Sequence, residues 1–148
     1  MREIGTLLLA EDNPKDAELT LMALEKHNLA NKVLWVHDGE AVLDYMCRRG
    51  EFADRPNGNP AVILLDLKMA KVDGMEVLRA IRSDPSLRTT PVVILTSSRE
   101  ERDLVESYSL GVNAYVVKPV KFDEFFEAVG QLGVFWAITN EPPPDTAR

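Results

Sequence analysis

The chain has 148 residues, 45% hydrophobic and 28% charged, which fits one domain with a sizeable core and leaves little for a second. Its 24 acidic and 17 basic residues give a net charge of −7, which argues against a nucleic-acid surface, since that needs clustered Lys and Arg. A single cysteine (Cys47) excludes an intrachain disulfide, two histidines (His27, His37) exclude a zinc-type cluster, and no stretch approaches the ~20 apolar residues of a membrane span.

With no apolar leader in "MREIGTLLLAEDN", the cytoplasm is the expected compartment. Ile4 to Ala10 reads as a strand, followed by a helix that Asn13 can cap with Pro14 at its first position. Ala17, Leu21 and Leu24 recur at helical spacing and form its core face. "KVLWVH" (32–37) is a second strand, and Gly39 to Arg49 a helix ending near Gly50. Residues 50–60, "GEFADRPNGNP", carry the composition of a loop. Strand 61–66 follows, and then a helix from about Gly74 to Ser83, stopped by Asp84-Pro85. "PVVILTSS" (91–98) is a fourth strand, with Ser98 and Glu101 at capping-box spacing for a helix over about 99–110. "AYVVKP" (114–119) is a fifth, and a last helix starts near Phe122. Five strands alternating with five helices imply right-handed βαβ crossovers and a doubly wound parallel sheet.

In a parallel sheet all C-terminal strand ends share one edge, where open α/β folds bind ligands. The first strand delivers Glu11 and Asp12 there, the third Asp66, the fourth Thr96 and the fifth Lys118. Singly, each has an ordinary explanation: turn acids, a residue at a helix start, a solvated base. Together they define one site. Crowded carboxylates repel, by ~4 kcal/mol for two charges ~4 Å apart at an effective dielectric of about 20, so the site needs a cation. Oxygen ligands without His or Cys select a hard one, Mg²⁺ before Ca²⁺. Lys118 as a phosphate partner and Thr96 as a hydroxyl donor suit a phosphoryl group, with Asp66 as the nucleophile that becomes an aspartyl phosphate.

This set resembles the receiver domain of two-component response regulators, over residues from about 4 to 130. The matching elements are Glu11-Asp12, Asp66 closing "VILLD", Asp73-Gly74, Thr96 in "VILTSS", and Tyr115 and Lys118 in "YVVKP". The resemblance implies a flavodoxin-like fold with strand order 2-1-3-4-5. It also implies a phosphoryl group accepted on Asp66 from a sensor histidine kinase, and Mg²⁺ held by Asp12, Asp66 and the backbone carbonyl of Lys68, with Glu11 acting through water. Thr96 and Lys118 would contact the phosphoryl oxygens, Tyr115 would turn inward as the switch aromatic, and Lys68 and Ser98 would modulate the chemistry. A cis bond at Lys118-Pro119 is expected. Where many members carry Pro, this chain has Ala70.

The long 50–60 loop and the absence of an output domain after "FFEAVGQLGVFWAITNEPPP" resemble the single-domain regulators paired with bacterial phytochrome kinases. Residues 1–132 are therefore read as the receiver and 133–148 as an extension. In that extension Phe135 and Trp136, just before a proline-rich arm, are expected to anchor a homodimer. Two alternatives stand beside this reading. A haloacid-dehalogenase-like phosphatase shares the Asp, Thr, Lys and Mg²⁺, but needs an acid two residues after its nucleophile, where this chain has Lys68. The other is a receiver-like interaction module that never takes phosphate. The protein is thus expected to be a signalling acceptor and not an enzyme. His27, His37 and Cys47 are assigned to structural positions, Cys47 to helix packing.

Overall fold

The structure, a computed structural model, describes residues 6–25, 33–55, 58–69, 71–96, 114–118, 121 and 123–124. Five parallel strands form one sheet: β1 (Leu7–Ala10), β2 (Val33–Val36), β3 (Val62–Asp66), β4 (Val92–Thr96) and β5 (Ala114–Val117), in the order β2-β1-β3-β4-β5. The three inner strands carry unbroken apolar runs because helices cover both of their faces. Three helices lie among the described residues: α1 (Pro14–Glu25), α2 (Gly39–Cys47) and α3 (Gly74–Ser83).

Alternation along each strand divides the core in two. Leu8, Ala10, Ile63, Leu65, Val92 and Ile94 face α2 and α3, packing with Val42, Met46, Val77, Leu78 and Ile81. Leu7, Leu9, Val62, Leu64, Val93 and Leu95 face the opposite way, with Ala17 and Leu24 of α1. The sheet is therefore doubly wound. Its topological switch point lies between β1 and β3, where the chain leaves β1 for one face and returns for the other. Among the described residues no helix is long and apolar enough to cross a membrane.

Local chemistry accounts for the helix ends. Asn13 Oδ1 accepts from the backbone of Lys15 (2.9 Å) and Asp16 (3.1 Å), and Asp73 Oδ1 caps α3 through Glu76 N–H at 3.0 Å. The α3 boundaries agree with the sequence reading. Helix α2 ends earlier than expected, at Cys47, because Arg48 takes the left-handed cap position itself (φ 55°). The 50–60 segment is also more ordered than a plain loop. It opens with a 3₁₀ turn over Gly50–Phe52. Arg55 then binds it to α2, with Nε on the Tyr45 carbonyl at 2.6 Å, Nη1 on the Gly58 carbonyl at 2.8 Å, and the guanidinium 4.1 Å from the Tyr45 ring centroid. Cys47 is exposed, so the expected packing role is wrong: it sits at the last position of α2, turned away from the core.

Strands β1 and β5 are shorter than expected, and Lys118 is the first residue beyond β5. The helix expected over 99–110, the Lys118-Pro119 bond, Ala70, Ser98, His27 and the 133–148 extension lie outside the described residues, as does the helix expected from Phe122 apart from Asp123 and Glu124, which take helical backbone.

Candidate functional site

Strand register carries the expected residues to one edge. Ala10 pairs with Leu65, so Glu11 and Asp66 follow side by side. Asp66 pairs with Leu95, and Thr96 with Val117, which brings Thr96 and Lys118 to the same rim. The acidic pair is fixed through its backbone. Glu11 N–H donates to the Val36 carbonyl at 3.1 Å, and the Trp35 indole Nε1–H donates to the Glu11 carbonyl at 2.8 Å. The Trp35 ring stacks on His37, with centroids 4.1 Å apart. On the other side of the site, Asp66 Oδ1 accepts from Lys68 N–H at 3.2 Å, and Gly74 N–H donates to the Leu67 carbonyl at 2.9 Å.

Lys118 joins these elements. Its Nζ lies 3.1 Å from Asp66 Oδ2, 3.3 Å from Glu11 Oε1 and 3.1 Å from Asp16 Oδ2. Burial alone would depress the Lys118 ammonium. The charge of Asp66, hydrogen bonds to Asp16 and Asp66, and the charge of Glu11 outweigh it and hold the pKa above the usual lysine range. Glu11 is pushed up to about 7, chiefly by burial and then by its hydrogen bond to Asp66 and that group's charge. The Asn13 N–H on Glu11 Oε2 (3.2 Å) and the charge of Lys118 pull in the opposite direction.

Carboxylate oxygens of Glu11, Asp12 and Asp66 come within 4.8 Å of one another. Asp16 meets the same ammonium, so Lys118 faces three carboxylates, Glu11, Asp16 and Asp66, a surplus of two negative charges over its one positive charge when all three are ionised. An all-oxygen donor set with that surplus fits a hard divalent cation. Asp12 and Asp66 would hold it, with Glu11 beside them.

Asp16 is the site residue that sequence reasoning missed. An acid in the first turn of a helix is explained by the helix dipole alone. A better signal was available: Asp16 stands four residues after Asp12, about one helical turn beyond the rim. Lys68 presents its backbone N–H to Asp66, and its side chain is exposed. Thr96 closes β4, and its side-chain contacts lie outside the described residues, as do Ser98, Phe135 and Trp136. The Tyr115 ring is half-buried against the core under α2 and α3, with its hydroxyl oxygen shielded from solvent.

A doubly wound 2-1-3-4-5 sheet with acids at the β1 and β3 ends and a lysine after β5 defines the receiver class of signalling proteins. The chain belongs to that family: the response regulator receiver domain matches residues 7–130. Among solved structures it is similar to the bacteriophytochrome response regulator AtBRR, with 59% identity, a TM-score of 0.89, and coverage of 95% of this chain and 100% of that one. Among curated proteins it is 39% identical to the probable methanogenesis regulatory protein FilR2 of Methanothrix harundinacea, over 93% of this chain and 86% of that protein. It is also 36% identical to the response regulator Rcp1 of Synechocystis sp., over 93% of this chain and 92% of that one. The Mn²⁺-bound form of Rcp1 superposes with a TM-score of 0.72, at 35% identity over 94% of this chain and 99% of that one.

Proposed function

We propose that Asp66 is the acceptor of a phosphoryl group delivered by a sensor histidine kinase of the phytochrome type, with Mg²⁺ as cofactor. One observation carries this reading: Asp66 ends a buried strand with its carboxylate beside both the Lys118 ammonium and the Glu11-Asp12 pair. An Asp66 oxygen attacks the phosphorus, the bond to the donor imidazole nitrogen breaks, and the donor leaves with that electron pair. Lys118 and the Thr96 hydroxyl bind the phosphoryl oxygens. Bound Mg²⁺, held by Asp12, Asp66 and the Lys68 carbonyl with Glu11 alongside, would neutralise charge on the transferred group. Tyr115 reads out the change at Thr96. Lys68 and Ser98 tune its rate.

The phytochrome pairing is supported by the 59% identity to AtBRR, itself a bacteriophytochrome response regulator. The Mn²⁺ form of Rcp1 supports a divalent cofactor. The protein acts as a signalling acceptor and not as an enzyme: two residues beyond Asp66, where a dehalogenase-type phosphatase needs an acid, stands Lys68. It works in the cytoplasm, where ATP supplies the kinase. Residues 1–132 form the receiver, and Phe135 and Trp136 in the 133–148 extension anchor a homodimer, a reading that rests on their composition beside a proline-rich arm. Phosphotransfer tests the kinase assignment. A bacteriophytochrome kinase labelled with radioactive ATP should pass its label to this chain within minutes and faster than an unrelated kinase does. Equal rates from both would remove the pairing.

A further inference from the structure

Lys118 has three N–H donors, and three carboxylates take them: Glu11, Asp16 and Asp66. A phosphoryl group on Asp66 brings about two negative charges and three strong acceptor oxygens to the same ammonium. One of its oxygens can replace the Asp66 carboxylate oxygen. Beyond that, the group competes with Glu11 and Asp16 for the lysine. These two competitors are not equivalent. The Glu11 side chain is 0% exposed and is held by the Asn13 N–H, so releasing it strands a buried carboxylate. The Asp16 side chain is 38% exposed, so water can take over when it lets go. Its backbone need not move, because its N–H stays on Asn13 Oδ1 and its carbonyl accepts from Thr20 Oγ1 at 3.0 Å.

We infer that Asp16 is a positioning residue that holds Lys118 while Asp66 is unmodified, yields it to the phosphoryl group, and so restrains both the gain and the retention of that group. This inference rests on Asp66 being the acceptor. With acetyl phosphate, an Asp66 oxygen bonds to phosphorus, the phosphorus–oxygen bond to acetate breaks, and acetate leaves with the electron pair. No proton moves. Removing the Asp16 charge leaves Lys118 less occupied at that moment.

The test is a double-mutant cycle on Asp16→Asn and Lys118→Met, with Glu18→Gln, an exposed acid on the same helix, as control. Asp16→Asn is expected to label about two- to fivefold faster with acetyl phosphate and Mg²⁺, and to lose the group more slowly by a similar factor, as suits release of an exposed ion pair. Glu18→Gln should match the parent, and in the Lys118→Met background Asp16→Asn should change nothing. No change on Asp16→Asn in the parent, or an equal change with and without Lys118, overturns the inference. A second reading uses the metal-free protein. In EDTA the shifts in Tm from Asp16→Asn and Lys118→Met should be non-additive, and additive shifts also overturn it. If the parent takes no label, the acceptor assignment fails, while the EDTA cycle still judges the Asp16–Lys118 pair.

Discussion

Gly74 packs so closely on the loop after Asp66 that a Cβ there would stand 2.6 Å from Leu67 Cα and nearer still to the Asp66 carbonyl oxygen. The start of α3 is thereby pressed against the segment that carries the acceptor. Gly74→Ala is expected to destabilise the fold by ~1–3 kcal/mol through overpacking, measured by urea unfolding. It should also weaken Mg²⁺ binding, since the loop must shift. Parent-like stability and affinity would show that the contact is not restrictive.

Asp12 is exposed, while the other two acids of the cluster are buried. Replacing it removes an anionic ligand without opening the core. Asp12→Asn should therefore unfold like the parent but bind Mg²⁺ roughly tenfold or more weakly by titration calorimetry. Unchanged affinity would remove Asp12 from the ligand set.

Glu11 gives the metal-free protein a pH dependence of definite sign. Its pKa rises from 4.5 to about 7 on folding, so the folded chain binds this proton more tightly than the unfolded chain does. The stability this contributes is present below pH 4.5 and is lost as pH rises through about 7. Denaturant unfolding in EDTA between pH 5 and 8 should show a fall in the parent that is absent in Glu11→Gln. A parent curve parallel to that of the variant would contradict the shift.

Removal of residues beyond Gly133 addresses the proposed dimer. Sedimentation should give a dimeric parent and a monomeric truncated chain. A monomeric parent, or a dimer that survives truncation, would remove Phe135 and Trp136 as anchors.

Different parts of the molecule were readable from sequence for different reasons. Val62–Leu65 running into Asp66 was plain, because a strand covered on both faces has no polar alternation and its terminal acid stands out. Helix α3 was bounded correctly because Asp73 and Asp84-Pro85 are local start and stop signals. Local rules failed where two neighbours competed. Gly50 looked like the end of α2, yet Arg48 adopted the left-handed turn first. They were silent where the partner is a backbone carbonyl or is remote: Arg55 bonds backbone carbonyls, and Asp16 meets a lysine 102 positions away. Neither leaves a periodic trace. The rim itself was legible because parallel register makes four distant strand ends into neighbours.

Intact mass after incubation with acetyl phosphate and Mg²⁺ tests the central claim, that Asp66 is the phosphoryl acceptor. The parent should gain the mass of one phosphoryl group and lose it again when Mg²⁺ is supplied without donor. Asp66→Asn should gain nothing under the same conditions. A parent that stays unlabelled, or an Asp66→Asn chain that labels to the same extent, would contradict the account.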